Sequence, residues 1–190
     1  MMKSLRLSGT IAAGMILGCA TAAEAELTTP KGPVVLTVVG DIANANRGPM
    51  DPAVDRFLDY HEQKFDSAAV FDLEMLEGLG METRRFVLKG LPGAQELEGP
   101  PLAAVLQAVG AQPARVTIMA LDGYAVELDA KGLEAHDWLV GVKRNGGYLG
   151  IGGFGPAWVA FSPVAADQVA TDEEVEMWPY QVFLIRVEGE

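Results

Sequence analysis

The chain has 190 residues, 49% of them hydrophobic and 21% charged, with a mean hydropathy of +0.19, and this apolar content excludes a disordered chain and fits one packed domain. Lysine and arginine total 14 against 26 acidic residues, so the net charge is −12, and no compact basic stripe interrupts it; this charge repels phosphate backbones and anionic lipid alike and makes nucleic acid a poor candidate partner. The single cysteine, Cys19, excludes an internal disulfide, a CxxC redox pair and a thiolate zinc site.

Residues 1–25 read as an export signal. Lys3 and Arg6 form a positive start, Leu7 to Ala22 is uncharged and rich in small residues, and Ala23-Glu24-Ala25 is an A-x-A cleavage site. The expected product is a periplasmic domain over residues 26–190. An alternative is a lipoprotein anchored through Cys19, because Ile16-Leu17-Gly18-Cys19 resembles a lipobox. The apolar stretch is too short for a confident span, which needs about 20 residues, and no later segment qualifies, so the mature chain is expected to have no membrane span.

Val34 to Val39 is a β-branched run ending at Gly40, the pattern of a buried strand. Asp51 to Lys64 places Val54, Phe57, Leu58 and His61 at helical spacing, with Asp51 as N-cap and Pro52 at the first helical position. Asp72 to Leu79 reads as a second short helix capped by Asp72. From Glu82 the pattern turns strand-like, passes the turn cluster Leu91-Pro92-Gly93, and leads to a helix from Pro101 to Val109 stopped by Gly110. Arg115 to Leu121 and Tyr124 to Leu128 form a hairpin around Asp122-Gly123, expected as a type I′ turn. Trp138 to Lys143, Ala157 to Phe161 and Tyr180 to Val187 complete the strands, and the acidic stretch Asp172-Glu173-Glu174 with Glu176 reads as a solvated loop. The expected class is α+β: a single β-rich domain with a few short helices.

Simple chemical motifs are scarce. Gly150 to Gly155 contains G-x-G-x-x-G, but Pro156 and the strand-like Trp158-Val159 follow where a dinucleotide site needs a helix. His61 and His136 are the only histidines and lack metal-binding spacing. There is no G-x-S-x-G nucleophile. Two groupings combine aromatics, amides or carboxylates, and permissive backbone. One is Asn44 to Gly48 after the first strand. The other joins Asp122-Gly123-Tyr124, Lys143 to Gly146, and Phe154 to Trp158. Read from composition alone, Asp122 is a turn residue and Trp158 a core aromatic.

The same residues carry a resemblance. Leu36-Thr37-Val38-Val39-Gly40-Asp41-Ile42-Ala43-Asn44-Ala45-Asn46, then Phe71 to Glu77, Glu98-Gly99-Pro100-Pro101-Leu102, Ala120 to Val126, Arg144-Asn145-Gly146 and Gly155-Pro156-Ala157-Trp158-Val159 resemble, in order, small exported proteins of the molybdopterin-binding oxidoreductase family. The resemblance implies the sulfite oxidase type of pterin-binding fold. Catalytic members hold molybdenum through a cysteine thiolate, and residues 26–190 contain no cysteine. Some small relatives instead bind a metal-free pterin and report it to a membrane-bound cyclic-di-GMP or kinase-type signalling protein. The resemblance therefore implies a non-catalytic pterin sensor whose partner is the periplasmic part of such a protein. The alternative is a molybdopterin-dependent oxidoreductase with a cysteine-free metal site, and a third reading is a docking scaffold without ligand.

A pterin offers a flat bicycle and a 2-amino/N3–H edge with two parallel donors, which one carboxylate accepts together while an aromatic ring covers the face. Under the resemblance Asp122 takes the edge, and Tyr124, Phe154 and Trp158 stack on or line the ligand. Asn46, Arg144 and Asn145 reach its carbonyl, N5 or side chain, and Gly153 and Gly155 let backbone approach. Two departures reshape the site: Val87 to Pro92 stands where many relatives have a Thr-Pro-Trp segment, and Ala157 replaces a larger aliphatic. Residues 49–66 form a longer insertion, expected as a lid or partner surface.

Overall fold

A strand whose two faces are both buried reads as an unbroken apolar run, and the run before Gly40 behaves accordingly: β1 (Leu36–Gly40) is buried from Leu36 to Val39. The computed structural model describes residues 27–163 and 168–189. The expected signal segment and Cys19 lie outside the described residues.

In chain order there follow α1 (Arg56–Tyr60), β2 (Ala69–Phe71), α2 (Leu73–Gly78), β3 (Glu82–Val87), β4 (Ala94–Gly99), α3 (Leu102–Ala108), β5 (Arg115–Ala120), β6 (Ala125–Asp129), α4 (Ala130–Ala135), β7 (Leu139–Gly141), β8 (Lys143–Arg144), β9 (Gly147–Tyr148), β10 (Ala157–Ala160), α5 (Asp172–Glu176) and β11 (Tyr180–Glu188). The protein is α+β and β-rich, as the sequence predicts. Among the described residues no helix is long and apolar enough to cross a membrane.

β11 is the hub of a seven-stranded sheet. β5 runs antiparallel along one edge of it, carrying β6 outside. The other edge is shared by β1, parallel at Thr37↔Leu184 through Gly40↔Val187, and by β10, antiparallel at Trp158↔Tyr180 and Ala157↔Val182. β2 flanks β1 and β7 flanks β10. A four-stranded sheet in the order β3-β4-β8-β9 meets it where β7 passes β4: Val140 N–H donates to Pro100 O at 2.8 Å and Val142 N–H to Glu98 O at 2.8 Å. The sequence reads Trp138 to Lys143 as one strand. It is two, because the chain leaves the large sheet after Gly141 and joins the small one at Lys143.

The main core includes Phe71, Phe86, Leu97, Leu102, Ile118, Trp158, Phe161 and Ile185. Each such side chain contributes about 1.5–3 kcal/mol by leaving water. A smaller cluster of Val39, Leu58, Ala68, Phe183 and Leu184 joins Met50 and Phe65. The 49–66 insertion is thus packed onto the sheet rather than standing away from it. Gln63, itself buried, receives a hydrogen bond from Arg186 Nη2 at 2.7 Å, and Arg47 pairs with Asp55.

Several local expectations are corrected. The helix expected over 51–64 shrinks to Arg56–Tyr60, because Asp51 accepts from Ala53 N–H in a preceding turn and only Leu58 of the helix is buried. The acidic stretch 172–176 is helical, not a loop: Thr171 and Glu174 exchange side-chain and backbone hydrogen bonds in a capping box. α4, β2 and β9 have no counterpart in the sequence reading. The hairpin turn is not type I′, which requires positive φ at both central residues. Only Gly123 has it (φ 89°), and Gly123 N–H donates back to Ala120 O at 3.0 Å, the geometry of a glycine-bulge hairpin.

Candidate functional site

The hairpin and the segment between α5 and β11 face each other across a cleft of about 330 Å3, lined by Ala120, Asp122, Tyr124, Val175, Glu176, Trp178, Pro179 and Tyr180. Two devices hold its walls. Asp122 Oδ1 accepts from Tyr124 N–H at 2.9 Å, an Asx turn that fixes the carboxylate at the hairpin tip. Tyr124 OH donates to Glu176 O at 2.5 Å, tying the hairpin to the end of α5. Asp122 Oδ2 makes no hydrogen bond among the described residues. Tyr124 and Tyr180 are each half-exposed, whereas Trp178 is buried and its Nε1 has no partner.

A second group of predicted residues lies one layer behind. The Phe154 ring stacks on Trp158 with centroids 4.4 Å apart and planes 10° apart, and the Arg144 guanidinium lies 4.8 Å from the Phe154 centroid. Arg144 Nη1 is buried without a partner. Tyr180 joins the two groups: it lines the cleft and meets Phe154 edge to face at 5.3 Å. Gln181, at φ 57°, locks this junction, its N–H donating to Phe154 O and its Nε2 to Gly153 O, both at 2.9 Å. The aromatic series continues inward through Phe86 to Trp178 and Phe161.

The remaining predicted residues are placed elsewhere or engaged in structure. Asn46 Nδ2 donates to Thr28 O and Val70 O, and its Oδ1 accepts from Val70 N–H, so its whole amide stitches β2 to the lead-in segment. Asn145 (φ 50°) sits in the β8–β9 turn, where its Oδ1 accepts from Glu96 N–H. Gly155 is buried; a Cβ there would run into Leu149 O, so its close approach serves the chain itself. Gly153 is exposed and has ordinary clearance. Trp158 is a core residue, 2% exposed, and supports Phe154 rather than lining the cleft. Beside Arg144, Lys143 Nζ binds Glu77 Oε1 at 2.7 Å and Tyr148 OH donates to the same oxygen, which together hold the Glu77 carboxyl below its usual range; the pairing raises Lys143.

The sequence reading therefore finds Asp122 and Tyr124 of the cleft and misses the opposite wall, Val175 to Tyr180. A signal was present: Thr171-x-x-Glu174 is a capping-box pattern that marks a helix start. Among the described residues no group of three or more His, Cys, Asp or Glu side chains could hold a metal ion. Compared with known proteins, the chain matches no family model and no curated protein.

Proposed function

We propose that this chain is a periplasmic pterin-binding protein of the sulfite oxidase fold type, acting as the ligand-sensing partner of a membrane signalling protein of the cyclic-di-GMP or kinase kind. The observation that carries the reading is the cleft between Asp122 and Tyr180. Its volume of about 330 Å3 falls at the small end of ligand sites, about 300–1,000 Å3, and suits a bare bicyclic ligand. One carboxylate with an unengaged oxygen stands at its rim, and three aromatic side chains wall it. That donor set fits a pterin: the carboxylate accepts the paired N–H groups of the ligand's edge, while Tyr124 or Tyr180 covers its apolar face. The Tyr124–Glu176 hydrogen bond orients one ring in advance, which lowers the entropy lost on binding.

The residues do not fit a thiolate-held molybdenum. The only cysteine is Cys19, inside the expected export signal. The missing thiolate favours the sensor reading over an oxidoreductase with a cysteine-free metal site, and the ordered motifs from Leu36 to Trp158 are the support for the family resemblance.

The test is native ligand content. The full chain is expressed, recovered from the periplasmic fraction, denatured, and its supernatant analysed for pterins by fluorescence and mass spectrometry, with molybdenum quantified in the intact sample. A simple pterin near stoichiometry without molybdenum is the expected result. Molybdopterin with molybdenum would replace it with an oxidoreductase, and the absence of any pterin, with no binding on titration, would overturn it.

A further inference from the structure

A strand is regular only while its residues pair one for one, and β11 departs from that beside the cleft. Ala157 of β10 pairs with Val182 and the next residue, Trp158, pairs with Tyr180, so Gln181 is an extra residue, the mark of a β-bulge. Its backbone agrees. Among the described residues Glu62, Asn145 and Gln181 are the non-glycine residues with positive φ; the first two lie in turns, and Gln181, at 57°, lies inside a strand. A bulge residue in the left-handed region is ordinarily glycine, because a Cβ crowds the backbone there. Glutamine is held in it by three hydrogen bonds. Its N–H donates to Phe154 O at 2.9 Å, its O accepts from Leu121 N–H at 3.0 Å, and its Nε2 donates to Gly153 O at 2.9 Å. One residue thus ties β11 both to the β5–β6 hairpin and to the loop before β10.

The bulge settles which way Tyr180 faces. Residues paired across antiparallel strands share a face, and neighbours along one strand alternate. Ala157 and Trp158 therefore lie on opposite faces, and so do their partners Val182 and Tyr180, although residues two apart in an unbroken strand share a face. Val182 is buried in the main core. Tyr180 instead meets Phe154 edge to face at 5.3 Å, beside the Phe154–Trp158 stack, and walls the cleft half-exposed. A regular β11 would put Tyr180 on the Val182 face and leave the cleft without one of its three aromatic walls.

We infer that Gln181 is a positioning residue of the cleft: its left-handed bulge turns Tyr180 onto the Phe154 face, and affinity for a flat ligand depends on that backbone conformation rather than on the glutamine amide. The choice of ligand rests on the pterin reading above, which the inference deepens; the placement of Tyr180 rests on strand pairing alone. Bulges occur beside functional sites because they re-aim a side chain, and a strained residue persists where its surroundings over-determine it. Both conditions hold at Gln181.

The experiment has two readouts: the nuclear Overhauser effect between the Tyr180 and Phe154 rings in the free protein, and titration with neopterin. Each variant is checked for fold by circular dichroism. Gln181→Gly and Gln181→Asn tolerate positive φ, so both should keep the ring contact and bind neopterin within about threefold of the unmodified protein. Gln181→Val disfavours it, so the ring contact should be lost and binding should weaken about tenfold. Tyr180→Ala should weaken binding by a similar factor, and the double variant Gln181→Val/Tyr180→Ala should bind within about twofold of Tyr180→Ala alone, because both changes remove the same ring. A loss of stability unconnected with Tyr180 would not produce that non-additivity. A folded valine variant that keeps the ring contact and binds within about twofold of the unmodified protein would overturn the inference, as would additive effects in the double variant. If the valine variant does not fold, the glycine and asparagine variants decide: loss of the ring contact in either overturns the inference. Failure of the unmodified protein to bind neopterin would overturn the pterin reading, and the ring contact across the variants would still decide the role of Gln181.

Discussion

Replacing Asp122 by asparagine separates recognition from architecture at the hairpin tip. In the unmodified protein Oδ1 accepts from Tyr124 N–H at 2.9 Å, and asparagine keeps a carbonyl oxygen for that bond. The turn has two further main-chain bonds, Gly123 N–H to Ala120 O at 3.0 Å and Ala120 N–H to Tyr124 O at 2.8 Å, neither of which involves the side chain. Folding stability should therefore change by less than about 0.5 kcal/mol, the usual scale for an exposed position. Binding should change far more, because the second oxygen becomes an amide that presents a donor to the pterin's own donors. Loss of a charge-assisted hydrogen bond costs about 1.5–3 kcal/mol, or about 10- to 150-fold in affinity. The assay is fluorescence titration with neopterin beside a thermal melt. Asp122→Ala should weaken binding as well but also loosen the turn, since it removes the bond to Tyr124. A Kd for Asp122→Asn within twofold of the unmodified protein, at an unchanged melting temperature, would refute the edge assignment.

Other substitutions probe the frame around the cleft. Tyr124→Phe removes the hydroxyl that ties the hairpin to α5, and is expected to cost about 0.5–1.5 kcal/mol in denaturant unfolding while weakening pterin affinity several-fold through a looser wall. Gly99→Ala would drive a Cβ against Val140 O and to 2.7 Å from the Gly141 Cα, at the corner where the two sheets join, so a loss of about 3 kcal/mol or more and a melting temperature lower by about 6–12 °C are expected by calorimetry. Gly78→Ala, with nothing within 4 Å of the new Cβ, should be neutral or stabilising in the same measurement. Asp72 accepts from the backbone N–H groups of Gly32, Met75 and Lys31, with Gly32 the largest influence, and these hold its carboxyl below the usual range. Because the folded-state value is the lower one, its contribution is complete above the unfolded pKa of about 3.9 and is lost as pH falls through the folded value. Urea unfolding of Asp72→Asn should accordingly show lower stability at neutral pH and a shallower decline below about pH 4; an equally steep decline would show that other carboxylates govern acid unfolding.

Much of the chain was legible without coordinates because its local signals agree with its tertiary fate. The apolar run before Gly40, Pro101 ahead of α3, Asp72 as the N-cap of α2 and the Asp122-Gly123 hairpin all follow from short-range chemistry: buried strands are continuously apolar, caps satisfy the first N–H groups, and glycine tolerates the turn. The α+β class follows from their sum. Short-range chemistry also placed Asp122 and Tyr124 at an exposed hairpin tip, whereas their candidate ligand roles came from the family resemblance.

What lay beyond the sequence depends on partners distant along the chain. Helical spacing over residues 51–64 describes a face but not whether anything covers it; the sheet accepts Leu58, Phe57 meets Phe183, and the rest stays a turn. Asn46 looks like a ligand-binding amide until Val70 and Thr28, brought alongside by strand pairing, satisfy it completely. Arg144, Phe154 and Trp158 form one stack, but only the antiparallel pairing of β10 with β11 puts Tyr180 between that stack and the cleft. Composition and periodicity determined the class, the turns and the acidity of this protein, because those depend on each residue and its immediate neighbours. Tertiary structure alone decided which residues come together to line the cleft and which polar groups are already spent, because hydrogen bonds and Coulomb forces act over a few ångströms of space, whatever the distance along the chain.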